Sequence, residues 1–285
     1  MAETADPFMI RAHVPHFERC VADYRAASEA TRGRLAGRLG LAYGGQADER
    51  LDLFFPPGHG PQGRPAPIHI FVHGGYWRAN TRHDYAFVAD AVTARGAIAA
   101  IVDYSLMPGA RMATLVAQVR SAAAWIAAHA AEFGGDPAAI SASGHSAGGH
   151  LASYLVGRGP FETDVPAPAV RSVLLVSGLY DLAPIARSFL QAEIGLTEEE
   201  IAAWSPCDGT VCEGSDIRIL VGAAETPPFF DQAQRFSAHL AEAGHQAPVH
   251  RLEGEDHMTI VRSLGRPGTA CEAHLGATIA ASLGK

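Results

Sequence analysis

The residues SASGHSAGGH, running from Ser141 to His150, contain Gly144-His145-Ser146-Ala147-Gly148, a match to G-x-S-x-G. An apolar run over Ala139–Ala142 precedes the motif and a helical pattern over Gly149–Val156 follows it. Strand, tight turn and helix in that order are the context in which such a serine becomes a nucleophile. The turn forces Ser146 into a strained backbone and lifts its Oγ above the sheet. Small residues at 144 and 148 let strand and helix approach closely. The start of a helix also favours developing negative charge beside Ser146.

Upstream, His73-Gly74-Gly75-Tyr76-Trp77 directly follows a strand expected over Ile68–Val72. Acyl transfer needs donors aimed at the oxyanion of a tetrahedral intermediate. Two glycines after a strand leave backbone N–H groups unshielded. The expected oxyanion hole is Gly74 or Gly75, or both, together with Ala147. Downstream, a carboxylate and then a histidine should complete the set in the order Ser, Asp/Glu, His. The loop Glu253–Val261 follows a strand over Pro248–Leu252 and offers His257 as general base. The loop after a strand over Ile217–Val221 offers Glu225, nearer the strand end, with Asp231 inside the next helix as the alternative. A carboxylate there would hold the imidazole tautomer.

Further strands are expected over Leu51–Phe55, Ala97–Val102 and Ser172–Val176, mostly apolar on both faces. Leu115, Val119, Ala122 and Ile126 recur at helical spacing, as do Phe229, Ala233, Phe236 and Leu240. Alternating strands and helices predict an α/β architecture, a mostly parallel central sheet with helices on both faces. Phe17, Val21, Tyr24 and Ala27 form one helical stripe. Residues 1–45 are therefore expected as an N-terminal helical arm or cap, and residues 46–285 as the catalytic domain.

The 285 residues are 48% hydrophobic and 18% charged, which excludes a disordered polymer. A net charge of −8 without basic clusters argues against nucleic-acid partners. No segment approaches the roughly 18 uninterrupted apolar residues of a membrane span. The first residues show no basic stretch leading into an apolar run, so the expected location is cytoplasmic. Cys20, Cys207, Cys212 and Cys271 form no Cys-x-x-Cys pair and are expected as reduced thiols. No metal site is expected: His145 and His150 lie five apart, not at the i, i+4 spacing of a zinc-binding helix.

These motifs resemble the α/β-hydrolase superfamily, and more narrowly its arylformamidase (kynurenine formamidase) and HGG-type esterase branch. The resemblance runs from about Tyr43 to Val261. It rests on HGGYW (His73–Trp77), DYSLMP (Asp103–Pro108), GHSAGGHLA (Gly144–Ala152), SGLYDLAPI (Ser177–Ile185) and GLTEEEIAAWSP (Gly195–Pro206). In that branch an acid-Ser/Thr-Pro-Glu-Phe segment carries the acid. Here it reads Glu225-Thr226-Pro227-Pro228-Phe229, with Pro228 in place of the usual Glu. The histidine segment maps to His257, with Met258 where an aromatic is usual.

The resemblance implies an α/β-hydrolase fold, catalytic Ser146, Glu225 and His257, and no cofactor. It implies a serine hydrolase cutting N-formyl-kynurenine to kynurenine and formate, with a general carboxylesterase of short or aryl esters as the alternative. A binding protein on a hydrolase scaffold without catalysis is the more distant reading. Tyr76, Trp77 and Phe229 are expected to wall an aromatic leaving group. The expected partner is a small-molecule substrate, with a homodimer as one possible assembly.

Overall fold

The computed structural model describes residues 5–60, 63–167 and 169–284. Its strands are β1 (Gly37–Ala42), β2 (Arg50–Phe54), β3 (Ala66–Val72), β4 (Ile98–Val102), β5 (Gly135–His145), β6 (Gly157–Arg158), β7 (Ser172–Val176), β8 (Thr210–Val211), β9 (Asp216–Gly222) and β10 (Val249–Leu252). Its α-helices are α1 (Ile10–His13), α2 (Phe17–Arg34), α3 (Arg82–Tyr85), α4 (Val88–Ala94), α5 (Met112–His129), α6 (Ala147–Ser153), α7 (Gln191–Ile194), α8 (Glu198–Trp204), α9 (Pro227–Glu242), α10 (Thr259–Leu264) and α11 (Ala270–Ser282).

Eight strands form one sheet in the order β1-β2-β4-β3-β5-β7-β9-β10, and β6 with β8 makes a separate two-stranded ribbon. Within the large sheet β4, β3, β5, β7, β9 and β10 run parallel; β2 runs antiparallel to both β1 and β4. The expected α/β-hydrolase architecture is present. β4 and β7 are buried at every position, as strands covered on both faces must be. α4 and α11 pack together on one face of the sheet, while α5 and α6 pack on the other. Within α9, Pro227 and Pro228 open the first turn, where a missing N–H costs nothing. Its buried side, Phe229, Ala233, Phe236 and Leu240, is the stripe read from the sequence. Among the described residues no helix is long and apolar enough to cross a membrane.

The arm is shorter than the expected boundary at residue 45. Its long helix α2 ends at Arg34, and residues 37–42 pair with β2 as the first strand of the sheet, Gly37 facing Phe54 and Ala42 facing Arg50. β1 is an edge strand whose residues are nearly all exposed. Its apolar alternation is only the pair Leu39 and Leu41, broken by Gly40, too brief to announce a strand. α2 itself lies against α3 and α4. Its buried Tyr24 donates a hydrogen bond to the carbonyl of Met258, beside His257.

Candidate active site

β5 ends at His145 and α6 begins at Ala147, so Ser146 alone makes the turn, at φ 56° and ψ −122°. A non-glycine residue there costs roughly 1–3 kcal/mol. Packing imposes the turn. A Cβ on Gly144 would lie 2.0 Å from the carbonyl oxygen of Gly148, and one on Gly148 would lie 2.1 Å from that of Val72. Any side chain at either position would drive the helix off the strand. The Ser146 N–H donates to the carbonyl of Val176 on β7, 2.9 Å away, which ties the turn to the sheet.

β3 ends at Val72, next to β5, and its exit places Gly74 beside the serine. A Cβ on Gly74 would sit 3.2 Å from the Cβ of Ser146. Gly75 has φ 123°, and a Cβ there would lie 2.2 Å from the carbonyl oxygen of Ala79. Tyr76 and Trp77 continue in the left-handed region at φ 51° and 59°. Among the described residues, the N–H groups of Gly74, Gly75 and Tyr76 make no hydrogen bond. Ala147, first in α6, precedes every intrahelical acceptor. The predicted donors therefore lie on two adjoining turns, and Tyr76 adds a third free amide on the upstream one. His73 braces that turn: its Nδ1 donates to the Gly74 carbonyl at 2.9 Å, and its ring stacks on Tyr104 at 4.4 Å.

β9 and β10 lie side by side, so the loops at their ends bring Glu225 and His257 together. His257 Nδ1 donates to Glu225 Oε2 at 2.6 Å, and both side chains are buried. The other carboxylate oxygen accepts from Ser177 Oγ at 2.5 Å and from the Gly222 N–H at 2.7 Å. Those donors hold the carboxylate in one orientation. Spending Nδ1–H on Glu225 leaves Nε2 as the basic nitrogen. Asp231, the alternative acid, lies on the exposed side of α9. Ser146 and His257 line one cavity of about 600 Å³. No hydrogen bond joins their side chains among the described residues; such contacts often tighten only when substrate binds.

The three aromatic positions expected around the substrate separate. Tyr76 lines the cavity, and its hydroxyl donates to the Phe8 carbonyl at 2.5 Å. Trp77 and Phe229 do not line it; both are fully buried. The left-handed backbone turns Trp77 inward, where its indole N–H meets His150. Phe229 is held under the base, its ring centroid 4.3 Å from that of His257 and 6.0 Å from that of Phe8.

Other contributors lie outside the motifs. Phe189 lines the cavity, with Met9 and Ile10 of the N-terminal segment and Phe17 of α2. Thr226 donates to the Pro7 carbonyl, and the Asp6 carboxylate accepts from the Phe189 N–H. The N-terminal segment is thus tied to the loop carrying Glu225 and to the cavity wall. His145 Nε2 donates to the His257 carbonyl at 2.9 Å, holding the base's own loop. Ser177, at φ 51° directly after β7, opens the SGLYDLAPI segment, but its hold on Glu225 has no sequence signal because the two lie 48 positions apart. Among the described residues no cluster of three or more His, Cys, Asp or Glu side chains is arranged to hold a metal ion.

Burial sets the protonation of the surrounding imidazoles. It pulls His150 down to about 4 and His69 to about 3. His145 lies well below its ordinary value through burial and then its neighbour His257. A folded value below the unfolded one, near 6.5, means that folding favours the neutral ring. The stabilisation is complete above about pH 6.5 and is lost as the pH falls toward the folded values. Resistance to urea should be flat near pH 7.5 and fall below about pH 6.5, by on the order of 1 kcal/mol per pH unit for each such histidine. Carboxylates titrate lower, so unfolding midpoints between about pH 6.5 and 5 report these rings. A flat profile across that window would contradict their buried, neutral state.

The family model BD-FAE matches residues 51–191. Among curated proteins, the kynurenine formamidase of Danio rerio is 29% identical over 261 residues, covering 90% of this chain and 84% of that protein. The kynurenine formamidase of Salmo salar is 26% identical, covering 84% and 81%. Among solved structures, a protein from Silicibacter sp. TM1040 superposes with a TM-score of 0.80 at 27% identity, covering 98% of this chain and 99% of its own. An esterase from Pyrobaculum calidifontis superposes at 0.74 with 19% identity, covering 92% and 91%, a likeness of fold.

Proposed function

Because the chain belongs to the arylformamidase-like and esterase branch of the α/β-hydrolase superfamily, we propose that it is a serine hydrolase with N-formyl-kynurenine as its substrate. The observation that carries this reading is the buried Glu225–His257 pair at 2.6 Å, with His257 lining the same cavity as Ser146. Ser146 Oγ attacks the formyl carbon as His257 Nε2 takes its proton. The resulting oxyanion is held by amides of the Gly74–Tyr76 turn and by that of Ala147. His257 passes the proton to the aniline nitrogen, the C–N bond breaks, and a formyl-enzyme remains. His257 then deprotonates a water, whose attack releases formate and restores Ser146.

A formyl group needs little room on the acyl side. The rest of the cavity has aromatic walls in Tyr76 and Phe189 and a charged patch where Arg78 meets Glu193 at 2.6 Å. That combination suits an aryl leaving group with a zwitterionic end. A carboxylesterase of short or aryl esters is the second reading, since the same aromatic cavity walls and the same acyl-enzyme chemistry serve an aryl ester.

Initial rates on N-formyl-kynurenine and on a short p-nitrophenyl ester separate the two. The formamidase reading predicts a formamide kcat/KM comparable to the ester value, with one formate released per kynurenine. A formamide value more than about a thousandfold lower, a deficit of about 4 kcal/mol in the barrier, would leave the esterase reading. No turnover of either would end both.

A further inference from the structure

We propose that Trp77 and His150 act as a pair of positioning residues that hold the two halves of the oxyanion hole in register. The inference rests on the acyl-transfer reading above but not on the identity of the substrate. The upstream donors sit on a turn where Gly75, Tyr76 and Trp77 all have positive φ. Two of these residues carry side chains, and such a backbone persists only where its surroundings over-determine it. Tyr76 is held by the Phe8 carbonyl. The carbonyl of Trp77 accepts from the Met107 N–H at 2.8 Å, and its indole N–H donates to His150 Nδ1 at 3.2 Å. The two rings also meet edge to face, 5.2 Å apart at 86°.

His150 lies on α6, three residues after Ala147. The helix that carries the downstream amide therefore also grips the upstream turn. The hydrogen bonds allow one arrangement only. An indole N–H is donor only, so Nδ1 must offer its lone pair. That places the ring proton on Nε2, which donates to the Trp204 carbonyl at the end of α8, 2.8 Å away. Both Trp77 and His150 are fully buried, so water cannot replace either partner. Neither touches the cavity, so their effect on the reaction runs through the amides they hold.

The test uses Trp77→Phe, which keeps an aromatic ring and removes the donor, His150→Leu, which removes the acceptor, and the double variant. Each is assayed on a short p-nitrophenyl ester and for inhibition by a trifluoromethyl ketone, whose serine adduct carries the oxyanion. Each single variant should lose about 10- to 100-fold in kcat with KM within about twofold, as for a small displacement of reacting groups. The ketone inhibition constant should rise by the same factor. Trp77→Phe strands the His150 acceptor, and His150→Leu strands both the indole N–H and the Trp204 carbonyl, so each should lose Tm. The double variant strands the Trp204 carbonyl alone and should regain Tm relative to His150→Leu. Under the proposal kcat and ketone affinity stay low in the double variant, because the tie is still missing. Recovery of kcat together with Tm, or wild-type kcat in a folded single variant, would overturn it. Should Trp77→Phe fail to fold, His150→Leu and the double variant carry the same comparison. A wild-type enzyme indifferent to the ketone would instead count against the acyl-transfer reading.

Discussion

Ser146→Ala is expected to lower kcat by about 10^5-fold or more while leaving the protein folded. The hydroxyl makes no hydrogen bond among the described residues, so its removal leaves no partner stranded. The turn at φ 56° is imposed by contacts of Gly144 and Gly148, and alanine meets the same restriction as serine. Thermal unfolding should therefore shift little. What disappears is the covalent route, leaving only the contribution of binding and the oxyanion amides. Steady-state rates on the better of the two substrates check this, with a melting curve on the same sample. Residual turnover within about tenfold of wild type would remove Ser146 from the mechanism.

Glu225→Gln should cost about 10^4-fold in kcat with nearly unchanged volume. The carboxylate accepts three donors: His257 Nδ1–H, the Ser177 hydroxyl and the Gly222 N–H. An amide has one oxygen to offer. That oxygen is best placed facing Ser177 and Gly222, which turns the NH2 group toward His257. Nδ1 must then accept, the ring proton moves to Nε2, and the nitrogen needed as base is blocked. Asp231→Asn, on the exposed side of α9, should change kcat by less than about twofold, as surface substitutions do. Equal effects of the two substitutions, read as kcat in parallel assays, would mean that Glu225 does not orient the base.

What could be read before any coordinates follows from where the information lies along the chain. The turn at Ser146 was legible because its causes are local: an apolar strand, glycines at 144 and 148, and a helix in immediate succession. Glu225 and His257 were legible through their places after β9 and β10. β1 was not, because two glycines interrupt it and its alternating apolar pair, Leu39 and Leu41, is too short a pattern on an exposed edge to mark a strand. Trp77 and Phe229 were expected in the cavity wall because they adjoin reacting residues in sequence. Direction cannot be read from adjacency. The left-handed backbone sends Trp77 into the core, and the first turn of α9 places Phe229 under His257. Ser177, His145 and the N-terminal arm are each legible in the sequence, but not their contacts with Glu225, the His257 carbonyl and Thr226, because those span long separations in the chain.

Position 146 can be examined directly by incubating the protein with a fluorophosphonate and mapping the added mass onto peptides. One equivalent should attach to the peptide holding Ser146. The Ser146→Ala protein should take up none, and Glu225→Gln should react far more slowly. A wild-type protein that turns over substrate while the label is absent, or lies on another residue, would contradict the assignment of the nucleophile and the mechanism built on it.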